Sequence, residues 1–223
     1  MYIDSLVEMN IPAVPNSTAL AEVAQTMSEK DLTSIPVIIS DSDQLAGVLT
    51  ASDIERMGIS GGDLFSFTFG IPSTLLRTQH VFEAGRMFLA NSEAEFIPVT
   101  DPAGRYQGCV VRDTVFESIA SLLNIRERGA TVFIRLEPQD YTLSDIVRII
   151  ESEDCKILGI AVERPSIDSE FYMVSVKIDS EDSFRVEASL RRHGYLVDVE
   201  VNSQMVETEM ESRVSEFLNF LDL

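Results

Sequence analysis

Cysteine, histidine, tryptophan and lysine are all scarce in this chain of 223 residues. It has two cysteines, two histidines and no tryptophan, and its only lysines are Lys30, Lys156 and Lys177. Two cysteines are too few for a disulfide framework at this length, so we expect Cys109 and Cys155 to be reduced thiols in a cytoplasmic protein. The shortage of lysine fits either an acidic surface adapted to high salt or a genome rich in arginine codons.

Long apolar stretches are also missing. No run approaches the roughly 20 residues that a membrane-spanning helix needs. The first five residues, MYIDS, do not place a basic stretch before an apolar one, so no secretory signal is predicted. Both observations favour a cytoplasmic location.

Positive charge is in deficit, with 17 Lys and Arg against 37 Asp and Glu and a net charge of −20. A chain this negative repels phosphate backbones and anionic lipid surfaces. We therefore expect neither nucleic acid nor membrane among its partners.

Motifs that carry catalysis or hold a metal are absent from the sequence. It contains no Cys-x-x-Cys, His-Glu-x-x-His or phosphate-binding glycine loop. His80 and His193 are both predicted at helix ends, in different domains, and Asp41-Ser42-Asp43 is more simply a solvated turn than a divalent-ion site. We expect a non-catalytic protein with no metal and no required cofactor.

An internal repeat organises the first half of the chain. Ser34-Ile35-Pro36-Val37 recurs as Phe96-Ile97-Pro98-Val99, with the two prolines 62 positions apart. Downstream, Gly47-Val48-Leu49 recurs as Gly108-Cys109-Val110 after 61 positions. Two units of about 60 residues are each too small for a good core, so they should pack together as one module.

Each copy is predicted to run strand, helix, strand, turn, strand, helix. The first copy opens with a strand over Ile11–Val14, and Asn16-Ser17-Thr18 supplies candidate N-caps for its helix. The apolar stripes of the two copies' first helices follow helical spacing. They are Leu20, Val23, Ala24 and Met27 in the first copy, and Phe82, Gly85, Arg86 and Leu89 in the second.

The helix, Ile-Pro-Val strand, acidic turn and Gly-h-h-Thr-x-x-Asp segment together resemble the CBS domain. Gly47 to Asp53 (GVLTASD) matches the family signature in full, whereas the second copy has Val111 for the threonine and Thr114 for the aspartate. The resemblance implies a CBS domain pair over residues 1–127, with copies at about 1–60 and 61–127.

Members of this family often bind adenosine compounds between the two copies. The resemblance implies an adenine slot at Ile35-Pro36-Val37, a ribose diol on the carboxylate of Asp53, and ribose or phosphate near the hydroxyls of Thr50 and Ser52. Arg112, with Arg105, could serve a single phosphate in the second copy. The cation supply favours an AMP-like or S-adenosyl ligand over ATP. A purely structural role is open too, because Thr50 and Asp53 also form a helix-capping arrangement.

The second half is predicted as βαββαβ, the ferredoxin-like order of an antiparallel sheet with two helices on one face. Following a CBS pair, it resembles an ACT-like domain over residues 128–202, although Tyr141 stands where that family usually has glycine. A further helix is predicted over residues 203–223. The fold class is thus α/β and α+β, and the domain order resembles that of the acetoin-utilisation accessory proteins.

Two functions from different classes fit this organisation. The first is a regulatory protein that senses an adenosine-containing ligand in the CBS cleft and signals to a regulated partner protein through a homodimer. The alternative is an interaction scaffold that dimerises through its CBS and ACT-like domains and has no physiological nucleotide ligand.

Overall fold

The structure is a computed structural model that describes residues 1–57, 64–66, 69–70, 72–165 and 170–198. These residues fall into two compact units, one spanning Met1–Leu122 and the other beginning at Leu123. In the described residues, no helix is long and apolar enough to cross a bilayer. The helix predicted over 203–223 lies outside the described residues.

Each copy of the repeat in the first unit contributes three strands and two helices. The first copy consists of β1 (Val14–Pro15), α1 (Leu20–Glu29), β2 (Ser34–Ile38), β3 (Leu45–Thr50) and α2 (Ala51–Met57). The second consists of β4 (Leu75–Leu76), α3 (Val81–Ala90), β5 (Phe96–Thr100), β6 (Tyr106–Val111) and α4 (Arg112–Leu122). The element order predicted from the repeat is confirmed.

The two sheets have the same topology. In the first, β2 is central, with β1 parallel on one side and β3 antiparallel on the other. In the second, β5 is central between β4 and β6, and the prolines take matching places, Pro36 opposite Val48 and Pro98 opposite Cys109. The opening strand is shorter and later than the predicted Ile11–Val14, because only Val14 and Pro15 pair with β2.

The buried stripe of α3 is shifted by one position along the helix from the predicted stripe, and the two sets share no residue. Val81, Ala84 and Phe88 are buried, whereas Phe82 and Leu89 point to solvent. The buried positions lie 61 residues after their counterparts Leu20, Val23 and Met27 on α1, so the repeat fixes the helix orientation. Helical spacing alone favoured the wrong stripe, since both faces of α3 carry apolar side chains.

The predicted N-cap cluster does not cap α1. Ala19 occupies the N-cap position and makes no side-chain cap hydrogen bond. The amide oxygen of Asn16 instead accepts hydrogen bonds from the backbone N and hydroxyl of Ser40, at 3.2 and 3.0 Å. Asn16 therefore ties the start of the first copy to the end of β2.

The two copies meet through an exchanged pair of backbone hydrogen bonds. The N–H of Leu45 donates to the carbonyl of Gly104 at 3.0 Å, and the N–H of Tyr106 donates to the carbonyl of Asp43 at 2.9 Å. Each residue lies 61 positions from its counterpart, so the contact has the twofold pseudosymmetry of the repeat. Asp43 and Gly104 both have positive φ, 55° and 80°. This left-handed conformation directs the backbone of each turn into the strand that follows it, β3 or β6.

An apolar cluster also joins the copies. Its buried members are Ile11, Phe96 and Cys109, with Leu32, Val48 and Val111 packed against them. Cys109 is fully buried in this cluster, where it packs as a small hydrophobic residue, and burial raises the pKa of its thiol. Both cysteines are free.

The first residues of the chain pack on the second copy. The backbone of Glu8 exchanges hydrogen bonds with Cys109, at 2.8 and 3.0 Å, and Ile3 and Leu6 join the core of the second copy. A Cβ at Gly108 would lie 2.5 Å from Val7, so the crossing segment requires glycine there. Gly47, the counterpart of Gly108, is constrained in the same way, because an added Cβ there would collide with the side chain of Phe69. Phe69 lies 61 positions after Glu8, so the crossing segment also follows the repeat.

The second unit has the predicted βαββαβ order. Its elements are β7 (Thr131–Leu136), α5 (Leu143–Ser152), β8 (Ile157–Glu163), β9 (Tyr172–Ile178), α6 (Phe184–Arg192) and β10 (Leu196–Asp198). The sheet runs β10-β7-β9-β8 with antiparallel pairs throughout, which is the ferredoxin-like arrangement. Gly194, at φ 88°, ends α6 in the left-handed conformation that glycine commonly adopts after a helix.

The carboxylate of Asp101 organises the turn between β5 and β6, through which the second copy contacts the first. It accepts hydrogen bonds from the backbone N of Arg105 and of Ala103, both at 2.9 Å, and pairs with Nε of Arg105 at 2.7 Å. These interactions, that from the Arg105 backbone first, lower the pKa of Asp101. Ionised Asp101 therefore stabilises the fold above about pH 4, and this contribution disappears as the pH falls through the lowered pKa.

We expect Asp101→Asn to melt below the wild type at pH 7, with the gap closing as the pH falls below about 4 and through the lowered pKa of Asp101. Thermal unfolding across this range measures it. Asp41→Asn, in the corresponding turn of the first copy, is the matched control. A gap for Asp101→Asn that stays constant with pH would contradict the assignment.

Candidate functional site

Two clefts related by the repeat open in the first unit. The first has a volume of about 820 Å³ and lies between the signature segment of the first copy and the α3–β5 region of the second. The second, of about 460 Å³, is lined by the corresponding Val111-Arg112-Asp113 segment together with Ile11 and Asp31. The module thus offers two related sites of unequal size.

The signature residues of the first copy form a closed hydrogen-bond network. Thr50 donates to Oδ2 of Asp53 from its backbone N at 3.0 Å and from its hydroxyl at 2.7 Å, and its hydroxyl oxygen accepts from the N of Asp53 at 3.2 Å. This reciprocal arrangement is a capping box for α2. The remaining oxygen of Asp53 pairs with Arg56 at 2.6 Å. Thr50 and Ser52, 2.8 Å apart through their hydroxyls, both line the first cleft.

Ile35, Pro36 and Val37 lie behind the cleft wall. All three are buried, and Ile35 and Val37 belong to the core of the first copy. The wall is formed beside them by Thr33 and Ser34, and across the cleft by Phe96-Ile97-Pro98, the corresponding strand of the second copy. The structure therefore brings Thr50 and Ser52 to the first cleft and puts the second copy's strand where the first copy's Ile-Pro-Val was expected.

Among the described residues that line the first cleft, Arg86 carries the one positive charge. It lines the cavity from α3 and forms an ion pair with Glu83 one turn earlier, which lowers the pKa of Glu83 and raises that of Arg86. Glu93 and Glu95 line the same cavity. Among the described lining residues, one positive charge thus faces two negative ones.

Arg112, the other predicted ligand residue, lines the second cleft, and its guanidinium donates hydrogen bonds to backbone carbonyls. Its Nη2 donates to the carbonyls of Ser92 and Ala94 at 2.7 Å and of Asn91 at 3.2 Å. The guanidinium lies 4.8 Å from the ring centre of Phe88. A phosphate at Arg112 would compete with these carbonyls. The predicted ligand role of Arg112 stays a prediction, and its observed contacts stabilise the end of α3.

The second cleft has a substituted signature. Val111 supplies no hydroxyl, and Thr114 donates from its hydroxyl to the carboxylate of Glu8 at 2.7 Å. The carboxylate of Glu8 therefore lies beside the position of the family aspartate. It comes from the crossing segment at the start of the chain. Because the carboxylate of Glu8 already accepts a hydrogen bond from Thr114, the second cleft differs chemically from the first.

Residues 91–95 were missed as site residues by the sequence reasoning. Glu93, Ala94 and Glu95 line both clefts, so this segment is a shared wall. The repeat contained a signal for it. The copies are offset by 61 residues on α1 and α3 but by 62 at the prolines, which places one extra residue in this loop.

The second unit contains a cavity of about 580 Å³ between the loop after β7 and the end of α6, lined by His193 and Tyr195 among others. Its loop includes Thr142 and Asp140, the region where ACT-like domains usually carry glycine. The hydroxyl of Tyr195 has a raised pKa, mainly through burial. No cluster of three metal-ligating side chains occurs in the part of the chain that the structure describes.

Comparisons with known proteins support a CBS-like fold. A family model of the CBS domain matches residues 4–57. No curated protein matches the chain. A CBS domain pair/ACT domain protein from Thermotoga maritima has 20% identity and a TM-score of 0.50, covering 55% of this chain and 99% of its own. This likeness supports the fold of a CBS domain pair.

Two further similar structures are of CBSX2. The CBS-pair protein from Arabidopsis thaliana has 19% identity and a TM-score of 0.48, covering 57% of this chain and 98% of its own. A structure of CBSX2 in complex with AMP has 21% identity and a TM-score of 0.46, covering 56% of this chain and 98% of its own.

We predict that Arg112→Ala lowers the free energy of unfolding by roughly 2 kcal/mol, because it removes charge-assisted hydrogen bonds to three carbonyls. Urea unfolding of the full chain measures the change. Arg128→Ala is the control, since Arg128 is 93% exposed and 4.0 Å from its acidic partner. Equal effects of the two substitutions would show that the contacts of Arg112 add nothing to stability.

Proposed function

We propose that this protein is a non-catalytic, cytoplasmic regulator that senses an adenosine-containing ligand in its first cleft. The observation that carries the proposal is the cleft itself, which combines an apolar wall with the hydroxyls of Thr50 and Ser52 and the guanidinium of Arg86. An apolar cavity with a few convergent polar groups is the usual form of a small-molecule site. A CBS-like pair followed by an ACT-like domain is also the order that supports the resemblance to acetoin-utilisation accessory proteins.

The charges around the cleft favour a ligand with little negative charge. Arg86 can bind one phosphate by donating hydrogen bonds to it, but Glu93 and Glu95 would repel a triphosphate. A sulfonium or ammonium group would be attracted to the same two carboxylates. An AMP-like or S-adenosyl compound therefore fits the proposal better than ATP does.

Asp53 is not among the residues that line the first cleft, but it is hydrogen-bonded to Thr50, which is, and it is proposed to hold the ribose diol from that position. Its side chain is 20% exposed, and one oxygen is paired with an arginine that is itself 71% exposed, an ion pair open to water. Exchange of such a pair for two hydroxyls costs little because exposed ion pairs are weak. The second cleft lacks this arrangement, so we propose one ligand per chain.

The regulatory output is proposed to pass through a homodimer to a regulated partner protein. A ligand can drive such a change only if it binds two arrangements of the protein unequally. The scaffold alternative is favoured by a different observation. The capping box already occupies Asp53, so the signature has a structural use without any ligand.

Titration calorimetry of the full chain with AMP, ATP, S-adenosylmethionine and NADH tests the proposal. We expect binding of AMP or S-adenosylmethionine at one site per chain. Asp53→Asn should weaken that binding roughly 10–100-fold, since the amide keeps an oxygen for Thr50 but loses the charge that strengthens the diol contact. Glu55→Gln, on the exposed side of the same helix, is the control.

Arg86→Gln is a second variant for the same titration, expected to weaken AMP more than S-adenosylmethionine. Arg148→Gln is its control, because Arg148 pairs with an acid three residues earlier on a helix of the second unit. Absence of heat with all four compounds would leave the scaffold alternative. Thermal melting of each variant checks that the fold is intact.

A further inference from the structure

The sheet of the second unit has two faces, and α5 and α6 cover one of them. On that covered face, Val132 and Ile134 of β7 and Val174 and Val176 of β9 belong to the buried core. Because side chains alternate along a strand, the residues between them lie on the opposite face. We call the following eight residues, two on each strand, the open face of the sheet: Leu196 and Asp198 of β10, Phe133 and Arg135 of β7, Met173 and Ser175 of β9, and Ala161 and Glu163 of β8.

Half of the residues on the open face are apolar. Leu196 is 53% exposed and Ala161 is exposed, whereas Phe133 and Met173 are half-buried. A sheet face that remains in water is usually polar, with the apolar residues confined to the core face. Several partly exposed apolar side chains on one face indicate an interaction surface.

The chain itself already covers the part of the sheet next to the open face. A Cβ added to Gly159, two residues before Ala161 on β8, would lie 3.0 Å from the carbonyl oxygen of Leu123. The side-chain amide of Asn124 donates to the carbonyl of Leu158 at 2.6 Å. The connection that enters this unit therefore packs on the same side of the sheet, and the open face continues from it.

The charges of the open face allow an apolar segment to pack there. Arg135 and Asp198 form an ion pair with each other at 2.6 Å, so their charges largely cancel. Ser175 is neutral, and Glu163 is the last residue of the edge strand β8. A segment on this face would therefore meet a mainly neutral surface.

The chain leaves the last strand at this face. Asp198, the final residue of β10, lies opposite Phe133 in the strand register. Residues 199–223 follow it outside the described residues, and the sequence predicts a helix over 203–223. Such a helix would be about 30 Å long, while four strands span about 14 Å, so it could cross the whole sheet. Six apolar residues follow helical spacing along it, namely Val206, Met210, Val214, Phe217, Leu218 and Leu221.

We propose that residues 203–223 dock as a helix on the open face of their own chain, with the apolar stripe against Leu196, Phe133 and Met173. The four residues 199–202 can span about 13 Å, enough to reach the middle of the face from the end of β10. A tether this short gives an effective concentration in the millimolar range, which favours docking within the chain over docking on a second copy. The inference does not depend on ligand sensing or on the proposed homodimer.

Tryptophan fluorescence of the full chain tests the docking, because the natural sequence contains no tryptophan. Phe217→Trp places the reporter on the apolar stripe, and Ser212→Trp, on the opposite side of the predicted helix, is the matched control. We expect the Phe217→Trp protein to emit at a shorter wavelength than it does in concentrated urea. The Ser212→Trp protein should emit near its value in urea, and neither spectrum should change on dilution.

Leu196→Glu, added to Phe217→Trp, places a charge on the open face and should remove the shift to shorter wavelength. It should also speed hydrogen exchange of residues 206–221 by about tenfold or more, since one leucine loses its burial against the helix. Ala161→Glu should repeat both effects. Phe184→Glu is the control, because Phe184 is 71% exposed at the start of α6, on the helical side of the same unit.

Three results would overturn the proposal. An emission shift that survives both Leu196→Glu and Ala161→Glu would place residues 203–223 elsewhere. A shift that disappears on dilution would assign the open face to a second copy. Equal emission from the Phe217→Trp and Ser212→Trp proteins would show that the segment does not dock. Thermal melting of each variant verifies that the second unit is folded.

Discussion

The exchange of backbone hydrogen bonds between Leu45–Gly104 and Tyr106–Asp43 is the contact on which the first unit depends. It occurs at the centre of the pseudosymmetry and joins the two hairpins, so it fixes both sheets at once. With the hairpins held there, the end of β3 faces α3 and β5, and a cleft opens between them. The related cleft follows from the same operation. The geometry of both clefts thus depends on this pairing, together with the apolar cluster that also joins the copies.

The two clefts share a geometry but not a chemistry. The first retains a threonine and an aspartate that stabilise the start of α2 and still offer hydroxyls to the cavity. In the second, Val111 and Thr114 replace them, and Arg112 holds the carbonyls of the wall that both clefts share. The first signature thus presents hydroxyls to a cavity, whereas Arg112 of the second copy holds the wall of that cavity in position.

The repeat allowed most of this fold to be predicted, because its offsets align every element of one copy with the other. For the second unit, the sequence predicts the βαββαβ order, and the structure has that order. Prediction failed where two signals competed. Periodicity on α3 favoured the face with Leu89, because an exposed apolar stripe has the same spacing as a buried one. The carbonyl contacts of Arg112 could not be predicted, since they depend on a loop conformation that no motif encodes.

The helix α3 has two different surfaces. Met87 and Ala90 line the first cleft, whereas Phe82 and Leu89 are exposed to solvent. Arg86 lines the cleft and pairs with Glu83 of the same helix, so a phosphate bound in the proposed site would compete with that ion pair. A ligand shifts the balance between two arrangements of a protein only by the difference in its affinity for them. Competition for Arg86 is one contact through which the proposed ligand could bind two arrangements of α3 unequally.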